Sequence, residues 1–436
     1  MSKDALDHVI DCYVDYASFV NAFRSIPDSR DGLKLVQRRL LSTLLLKEGP
    51  IGNEISCPSI IGSTIKYYHP HSEQAIYGAL VTLVNDPTPI VTGHGNFGRR
   101  TLNITLGPAA PRYTKVKLNE LGIRYYGDLI KFAPIYINEN EFEEPKVIPN
   151  PLPYALISGS LGIGVGCTTH IPAFAIEDLK SAARQILQGK KVTHYLSPCA
   201  PGGGCIEIDD ANLKSLNEEG HGFAYAKAKV EWVRDEASDQ NVIRISDVPN
   251  YVNLQKINKI FKDELAENLI FVRDDSQESI VVVIGRNKRV KKISEEELEK
   301  KVRFITRRKI HFNVVFSHEG IAQRMSPLEV LKNAIIHAVN ANTDMMIEES
   351  RKLKDEIIFE NIKHKLANYI MDEVDDKDII KLLHITNEQF TLFISRPISR
   401  LRAAKKDTDK MRNRVEEIEK GLRTPSLFYG QRIGLI

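Results

Sequence analysis

The stretch GPAAPRYTKVKL, residues 107–118, sets an Arg-Tyr pair between small, turn-forming residues and a run of lysines. A tyrosine in a buried strand would have Val, Ile and Leu for neighbours. Tyr113 instead follows an irregular segment and has Arg112, Lys115 and Lys117 close by. A phenol in that setting is suited to stacking, to hydrogen bonding or to attack on a phosphate. The third role needs help, because a phenol with a pKa of about 10 is a weak nucleophile at neutral pH. Arg112 stays charged and would clamp phosphate oxygens as negative charge builds on them.

A second group lies in KYYHPHSEQAIY, residues 66–77, where His69 and His71 flank Pro70. A His-x-His pair binds metal only with further ligands, and no Cys or acidic cluster stands nearby. Two histidines and Lys66 at the entrance of a helix suit phosphate contacts, since helix N-termini attract anions. A capped loop with internally bonded histidines is the structural alternative.

These residues need a scaffold. A chain of 436 residues is too long for one ordinary core, so two or three domains are expected. With 42% hydrophobic and 27% charged residues it reads as a soluble globular protein. The net charge of +3 is nearly balanced, but its distribution is uneven. Arg24, Arg30, Lys34, Arg38, Arg39 and Lys47 stand against few acids, 99–131 is basic again, and acids gather late. This fits a positive surface for a polyanion, and equally the solvated faces of ordinary helices.

The five cysteines, Cys12, Cys57, Cys167, Cys199 and Cys205, have no CxxC spacing, which fits a reducing compartment without disulfides or structural zinc. No apolar run approaches the roughly 20 residues of a membrane span, and the acidic, amphipathic N-terminus is no signal peptide. An intracellular protein is expected.

Helical spacing marks residues 1–47, broken by SIPDSRDGLK, then LVQRRLLSTLLL and SEQAIYGALVTLV. With the Gly-rich, hairpin-like 93–107 they suit a helix-turn-helix or winged-helix module. From about 145 to 320 Gly, Pro and the β-type runs KVEWV, NVIRISDV and SIVVVIG indicate a separate α/β domain. From about 326 the chain is helical. Ile347, Leu353, Ile357, Ile362 and Leu366 keep roughly helical spacing, and Met411, Val415, Ile418 and Leu422 form a second stripe. Two such helices would make an antiparallel coiled coil or a helical hairpin packed on its own domain.

Five segments, in order, resemble the breakage-reunion subunit of type IIA DNA topoisomerases, the group of gyrase A, the topoisomerase IV C-subunit and the phage enzymes. They are IPDSRDGLKLVQRRLL (26–41), KYYHPHSEQAIY (66–77), GHGNFGRR (93–100), APRYTKVKL (110–118) and IPNPLPYALISGSLGIGVGCTTHIPAF (148–174). IRISDVPNYVN and FVRDDSQE look like the family's tower motifs.

The resemblance implies an α+β multidomain chain. Residues 1–145 would be a winged-helix breakage-reunion domain, the DNA gate. Residues 146–320 would be an α/β tower, and 321–436 a long helical coiled coil with a C-gate for dimerisation. Tyr113 matches the tyrosine that joins a DNA 5′-phosphate, with Arg112, His69 and His71 in its catalytic pocket. Arg30, Lys34, Arg38 and Arg39 look like DNA-backbone ligands, and Lys66 and Asn96 like their neighbours. Ile163 matches an isoleucine that wedges between base pairs. Read from the residues alone, Ile163 is a buried core side chain.

The chain shows neither the acidic Mg²⁺ cluster of a Toprim domain nor an ATP site. In the family a partner subunit carries both, so two copies of each chain are expected to assemble on double-stranded DNA, in the cytoplasm of a bacterium or an infected host. The expected activity is ATP-dependent relaxation and decatenation. A non-catalytic architectural DNA-binding protein of the same fold is the alternative.

The chain departs from the family in places. HPHGD reads HPHSE, the usual GQGNFG has His94 in place of Gln, and a protein without the family's C-terminal β-pinwheel is expected. Gln74 and Gly78 replace the Ser and acid that hold quinolones, so weak quinolone action is expected. Cleavage stimulated at low drug concentration would refute that.

Overall fold

A computed structural model describes residues 3–49, 51–86, 88–100, 105–200, 203–249, 252–276, 280–287, 294–397, 400–401 and 408–436. The chain forms two compact units, Met1–Ala338 and Val339–Ile436. The first unit mixes helix and sheet, and the described elements of the second are helices.

In the first unit α1 (Lys3–Val20) passes into a short π-turn, Asn21–Ser25. Helix α2 (Leu35–Leu46) coincides with the LVQRRLLSTLLL run; the Gln37 side chain accepts from the Lys34 N–H at 3.0 Å and closes its first turn. Helices α3 (Cys57–Tyr67) and α4 (Glu73–Val84) follow, α3 opening on Pro58, whose missing N–H costs nothing in a first turn. Ile60, Ile61, Ile76, Leu80 and Leu83 are buried along with Leu40, Leu41 and Leu44, which is why these three helices pack together.

Against them lies a three-stranded antiparallel sheet in the order β1 (Ile55–Ser56), β5 (Lys115–Leu118), β2 (Val91–His94). A small hairpin, β3 (Arg99–Arg100) with β4 (Thr105–Leu106), precedes β5; the loop inside it, part of the expected Gly-rich 93–107 hairpin, lies outside the described residues.

The chain then builds a five-stranded antiparallel sheet. Its strand order is 205–207, 221–227, 307–313, 168–171, 160–163, so the hairpin around Ile163 forms one edge. A second sheet, ordered 229–235, 240–246, 281–286, 269–274, carries the three β-type runs seen in the sequence. Helices Leu254–Asp263 and Glu295–Ile305 seal one core with it through Ile257, Phe261, Leu298 and Val302.

The second unit holds most of the helix Pro327–Met371, then Asp376–Leu383, Asn387–Ile394, Asp409–Arg423 and Pro425–Arg432. Asn342 meets Arg432, Met346 lies against Gly421 and Glu349 meets Arg414, so the two stretches run antiparallel. Phe359 and Leu366 pack with Ile379, Leu383, Phe390 and Phe393 in a separate cluster. The buried stripe differs from the spaced apolar set: Met346, Ser350, Phe359, Lys363 and Leu366 are inside, while Ile347 is 53% exposed. A buried Lys363–Glu360 ion pair, 2.8 Å, takes a polar position into the stripe, which apolar spacing cannot register.

Candidate functional site

Tyr113 sits on a one-turn 3-10 helix, Pro111–Tyr113, immediately before β5. Pro111 presets the turn, the Tyr113 N–H bonds the Ala110 carbonyl at 3.0 Å, and the Thr114 hydroxyl bonds the Pro111 carbonyl at 3.0 Å. Tyr77 of α4 braces it from below, its hydroxyl donating to the Ala109 carbonyl at 2.7 Å and lying 3.2 Å from the Thr114 hydroxyl. Gly95, at φ +106°, lets the β2 loop approach so closely that a Cβ there would stand 2.8 Å from the Tyr113 carbonyl oxygen. The glycine of GHGNFG thus serves the chain's own backbone. Asn96 caps the same loop, its side chain accepting from the Gly98 N–H and its carbonyl from the Ala109 N–H.

The backbone of this turn is fixed, yet the Tyr113 ring is 66% exposed. The Arg112 guanidinium carbon lies 4.7 Å from the ring centroid, a cation–π contact of about 0.5–1 kcal/mol at an exposed site. That contact keeps a fixed positive charge beside the phenol.

The histidine group is built differently. Arg39 is buried; its Nε donates to Glu144 Oε1 at 2.8 Å, and its Nη1 lies 2.9 Å from His69 Nδ1. Glu144, also buried, is held in turn by Asn138 at 2.9 Å. Because Arg39 can only donate, His69 Nδ1 must accept, which leaves its proton on Nε2. Burial, and then the charge of Arg39, pushes His69 down to about 4, so the ring is neutral at pH 7. His71 is exposed and stacks edge-on against His69 with ring centroids 4.5 Å apart. Among the described residues no hydrogen bond joins Tyr113 to either histidine.

The four cations expected at a DNA backbone separate into two kinds. Arg38 is 7% exposed and grips Asp31 with two bonds, 2.6 and 3.0 Å; burial opposes its charge, but Asp31 outweighs it and raises the guanidinium further. Asp31 also accepts from the Leu33 and Ile148 N–H groups, so this pair ties the 28–39 turn to the segment at 148. Arg38 and Arg39 therefore face inward. Arg30 is half-buried against Asp28, and Lys34 is half-buried with its Nζ donating to the Leu161 carbonyl at 2.7 Å. Burial lowers the Lys34 pKa. Lys66 is exposed, with its Nζ 4.7 Å from the Tyr67 ring centroid.

Ile163 is 79% exposed, so it is no core residue. It ends the first strand of a hairpin whose register pairs it with Thr168 and pairs Leu161 with His170. Gly162 and Gly164 alternate with them and face inward: a Cβ on Gly162 would overlap the Ser25 carbonyl oxygen, and one on Gly164 the Asn21 side chain. The glycines are there for that close approach as well as for a bare rim. Asn21 grips the hairpin tip from the π-turn, donating to the Val165 carbonyl at 3.0 Å and accepting its N–H at 2.8 Å.

Sequence reading missed Glu144, Asp31, Asn21 and Tyr77. Asp31 stands in the motif around Arg30, but nothing local distinguishes Glu144 among the acids of EFEEPK. Among the described residues no three His, Cys, Asp or Glu side chains gather as a metal ligand set, and no helix is long and apolar enough to cross a membrane.

Comparison with known proteins agrees with the motif order. Residues 24–427 match the family of the A subunits of DNA gyrase and topoisomerase IV. The chain is 30% identical over 407 residues to the A subunit of DNA topoisomerase 4 from Rickettsia felis, covering 88% of this chain and 53% of that one. It is 29% identical over 393 residues to the DNA gyrase A subunit of Borreliella burgdorferi, covering 84% and 47%. Against the DNA gyrase A subunit of Clostridium acetobutylicum it is 32% identical over 283 residues, covering 61% and 33%. The chain belongs to this DNA gyrase/topoisomerase IV family of A subunits. It spans about half, or less, of the length of these relatives.

Proposed function

We propose that this chain is the DNA-cleavage subunit of a type IIA topoisomerase. The observation that carries the reading is the Arg112–Tyr113 pair, an exposed phenol on a rigid turn with a guanidinium against its ring. Tyr113 Oη attacks the phosphorus of a DNA phosphodiester. A phosphotyrosyl bond to the 5′-phosphate forms, the phenol proton leaves to a nearby base, and the bond to the 3′-oxygen breaks with that oxygen taking the electron pair and a proton to become the 3′-hydroxyl. The reverse attack by the 3′-hydroxyl reseals the strand. Arg112 stabilises the charge that builds on the phosphate.

His69, neutral with its proton on Nε2, is suited to donate to a phosphate oxygen and not to take the phenol proton. The exposed His71 beside it is better suited to proton transfer. Arg30, Lys34, Lys66 and Asn96 serve the DNA backbone. Arg38 and Arg39 act from behind, as positioning residues for the 28–39 turn and for His69.

Helices α2–α4 with the β1–β5–β2 sheet and the β3–β4 hairpin are read as the winged-helix DNA gate of 1–145. The two following sheets are read as the tower, 146–320, and the antiparallel helices as the coiled coil and C-gate of 321–436. Ile163, bare at a hairpin tip, has the form of a wedge that opens a base step, at a few kcal/mol repaid by contacts along the bend. Two copies related by a two-fold axis, with two copies of a Toprim- and ATPase-bearing partner, would cut both strands and pass a second duplex, relaxing and decatenating DNA. Mg²⁺ and ATP are assigned to that partner, whose metal would stabilise charge on the reacting oxygens. The cytoplasm is the compartment that fits such a complex.

The test is to mix the chain with its Toprim-bearing partner, supercoiled plasmid and Mg²⁺, and to stop the reaction with SDS. Protein-linked linear DNA that disappears with Tyr113→Phe is expected. Tight DNA binding with no trapped DNA would leave an architectural DNA-binding protein.

A further inference from the structure

The hairpin that carries Ile163 presents a second apolar side chain in the same direction. Leu161 is 66% exposed, two residues before Ile163 on the same strand, and strand alternation puts both on one face while Gly162 turns inward. A lone exposed leucine needs no explanation. Here the surroundings hold it still. Asn21 fixes the tip through Val165, the Lys34 ammonium fixes the Leu161 carbonyl, and the close approach of Ser25 to Gly162 leaves no room for the strand to roll. A duplex that meets Ile163 therefore also meets Leu161. At about 3.3 Å per residue the two side chains stand roughly 6.6 Å apart along the strand, close to two base-pair rises of about 3.4 Å.

We propose that Leu161 is a specificity-determining residue that lies over the minor-groove floor about two steps from the site opened by Ile163 and selects an A·T pair there. This rests on the reading of Ile163 as a wedge. Wedging side chains enter from the minor groove, whose floor differs between pairs chiefly by the guanine amino group. A leucine pressed on that floor covers the acceptors of an A·T pair at little cost in shape. Over a G·C pair it strips water from an amino donor and offers nothing in return, a penalty equal to roughly 5- to 100-fold in affinity.

The experiment measures affinity and bending, by fluorescence energy transfer, of end-labelled duplexes bound to the complete complex. A·T, G·C and inosine·C pairs are placed in turn at each position around the bend. For the wild type, G·C is expected to weaken binding at one position on each side, and inosine·C, which lacks the amino group, to restore it. Leu161→Ser should bind all three alike at that position. A Leu161→Ser variant that keeps the wild-type preference, or a wild type that rejects inosine·C as it rejects G·C, overturns the proposal. Ile163→Ala separates the two readings: unchanged bending would sink the wedge itself, whereas lost bending beside an unaltered Leu161→Ser profile sinks only the role of Leu161.

Discussion

Arg38 and Arg112 make an instructive pair. Both flank residues expected at a DNA-cleavage site, both are arginines in short basic motifs, and they are used in opposite ways. Arg38 is buried in a bidentate grip on Asp31 and holds backbone segments together. Arg112 is exposed and its guanidinium lies over the ring of Tyr113. The same contrast separates Arg39, buried and bonded to His69, from Lys66 on the surface. Basic motifs in this chain therefore contain two populations: inward charges that set geometry, and outward charges free for a polyanion. Substituting the first kind should cost stability before activity; the second, activity before stability.

The largest stability effect is expected at Asp31. Asp31→Leu leaves the Arg38 charge buried without its partner, which costs about 3–5 kcal/mol. The urea midpoint of the first unit should fall sharply, and adding Arg38→Met should recover much of the loss. If the single and double variants are equally unstable, Asp31 matters for its backbone bonds and not for the ion pair. Arg112→Met, by contrast, should leave the unfolding free energy within about 0.5 kcal/mol of wild type.

Tyr77 lies between the two populations, a buried side chain that braces the exposed turn. Tyr77→Phe loses its bond to the Ala109 carbonyl and leaves that acceptor unsatisfied, costing about 1–3 kcal/mol. The turn should open more readily, read as faster amide hydrogen exchange at Tyr113 and Thr114. Exchange unchanged at those residues would mean that Pro111 and Thr114 suffice.

The smallest effect is one of pH. The folded protein holds His69 neutral, well below its ordinary 6.5. The unfolded chain takes up that proton first, so the stabilising contribution of the Arg39–His69 contact is present above about pH 6.5 and is lost as pH falls towards about 4. Stability of the wild type should decline more steeply across that window than stability of His69→Gln. Identical slopes would show that the histidine is not the titrating group.

Much of the fold was legible locally. The spans of α2 and α4 follow from apolar spacing and their Pro and Gly boundaries, and the three β-type runs form adjacent strands. The apolar stripe of the long helix was blurred because Lys363 and Glu360 are buried together. Of the site, Tyr113 and Arg112 stood out because an aromatic beside a cation in a Pro-Gly-Ala segment has no core to join. The supports did not stand out. Arg39 finds Glu144 across 105 residues, Asn21 finds Val165 across 144, and Ser29 meets His318 across 289. Such partners are chosen by the folded backbone, and no local periodicity encodes them. Glycines are ambiguous for a related reason: Gly95 and Gly162 accommodate the protein's own chain, which a sequence cannot distinguish from room left for a ligand.

Whether Tyr113 becomes joined to DNA is read from the identity of the adduct itself. DNA cleaved by the complete complex and trapped with SDS would be digested with nuclease and protease, and the residual nucleotidyl peptide sequenced by mass spectrometry. One modified residue is expected, Tyr113, carrying a nucleotide through its 5′-phosphate. A nucleotide on another side chain, or one attached through a 3′-phosphate, would contradict it.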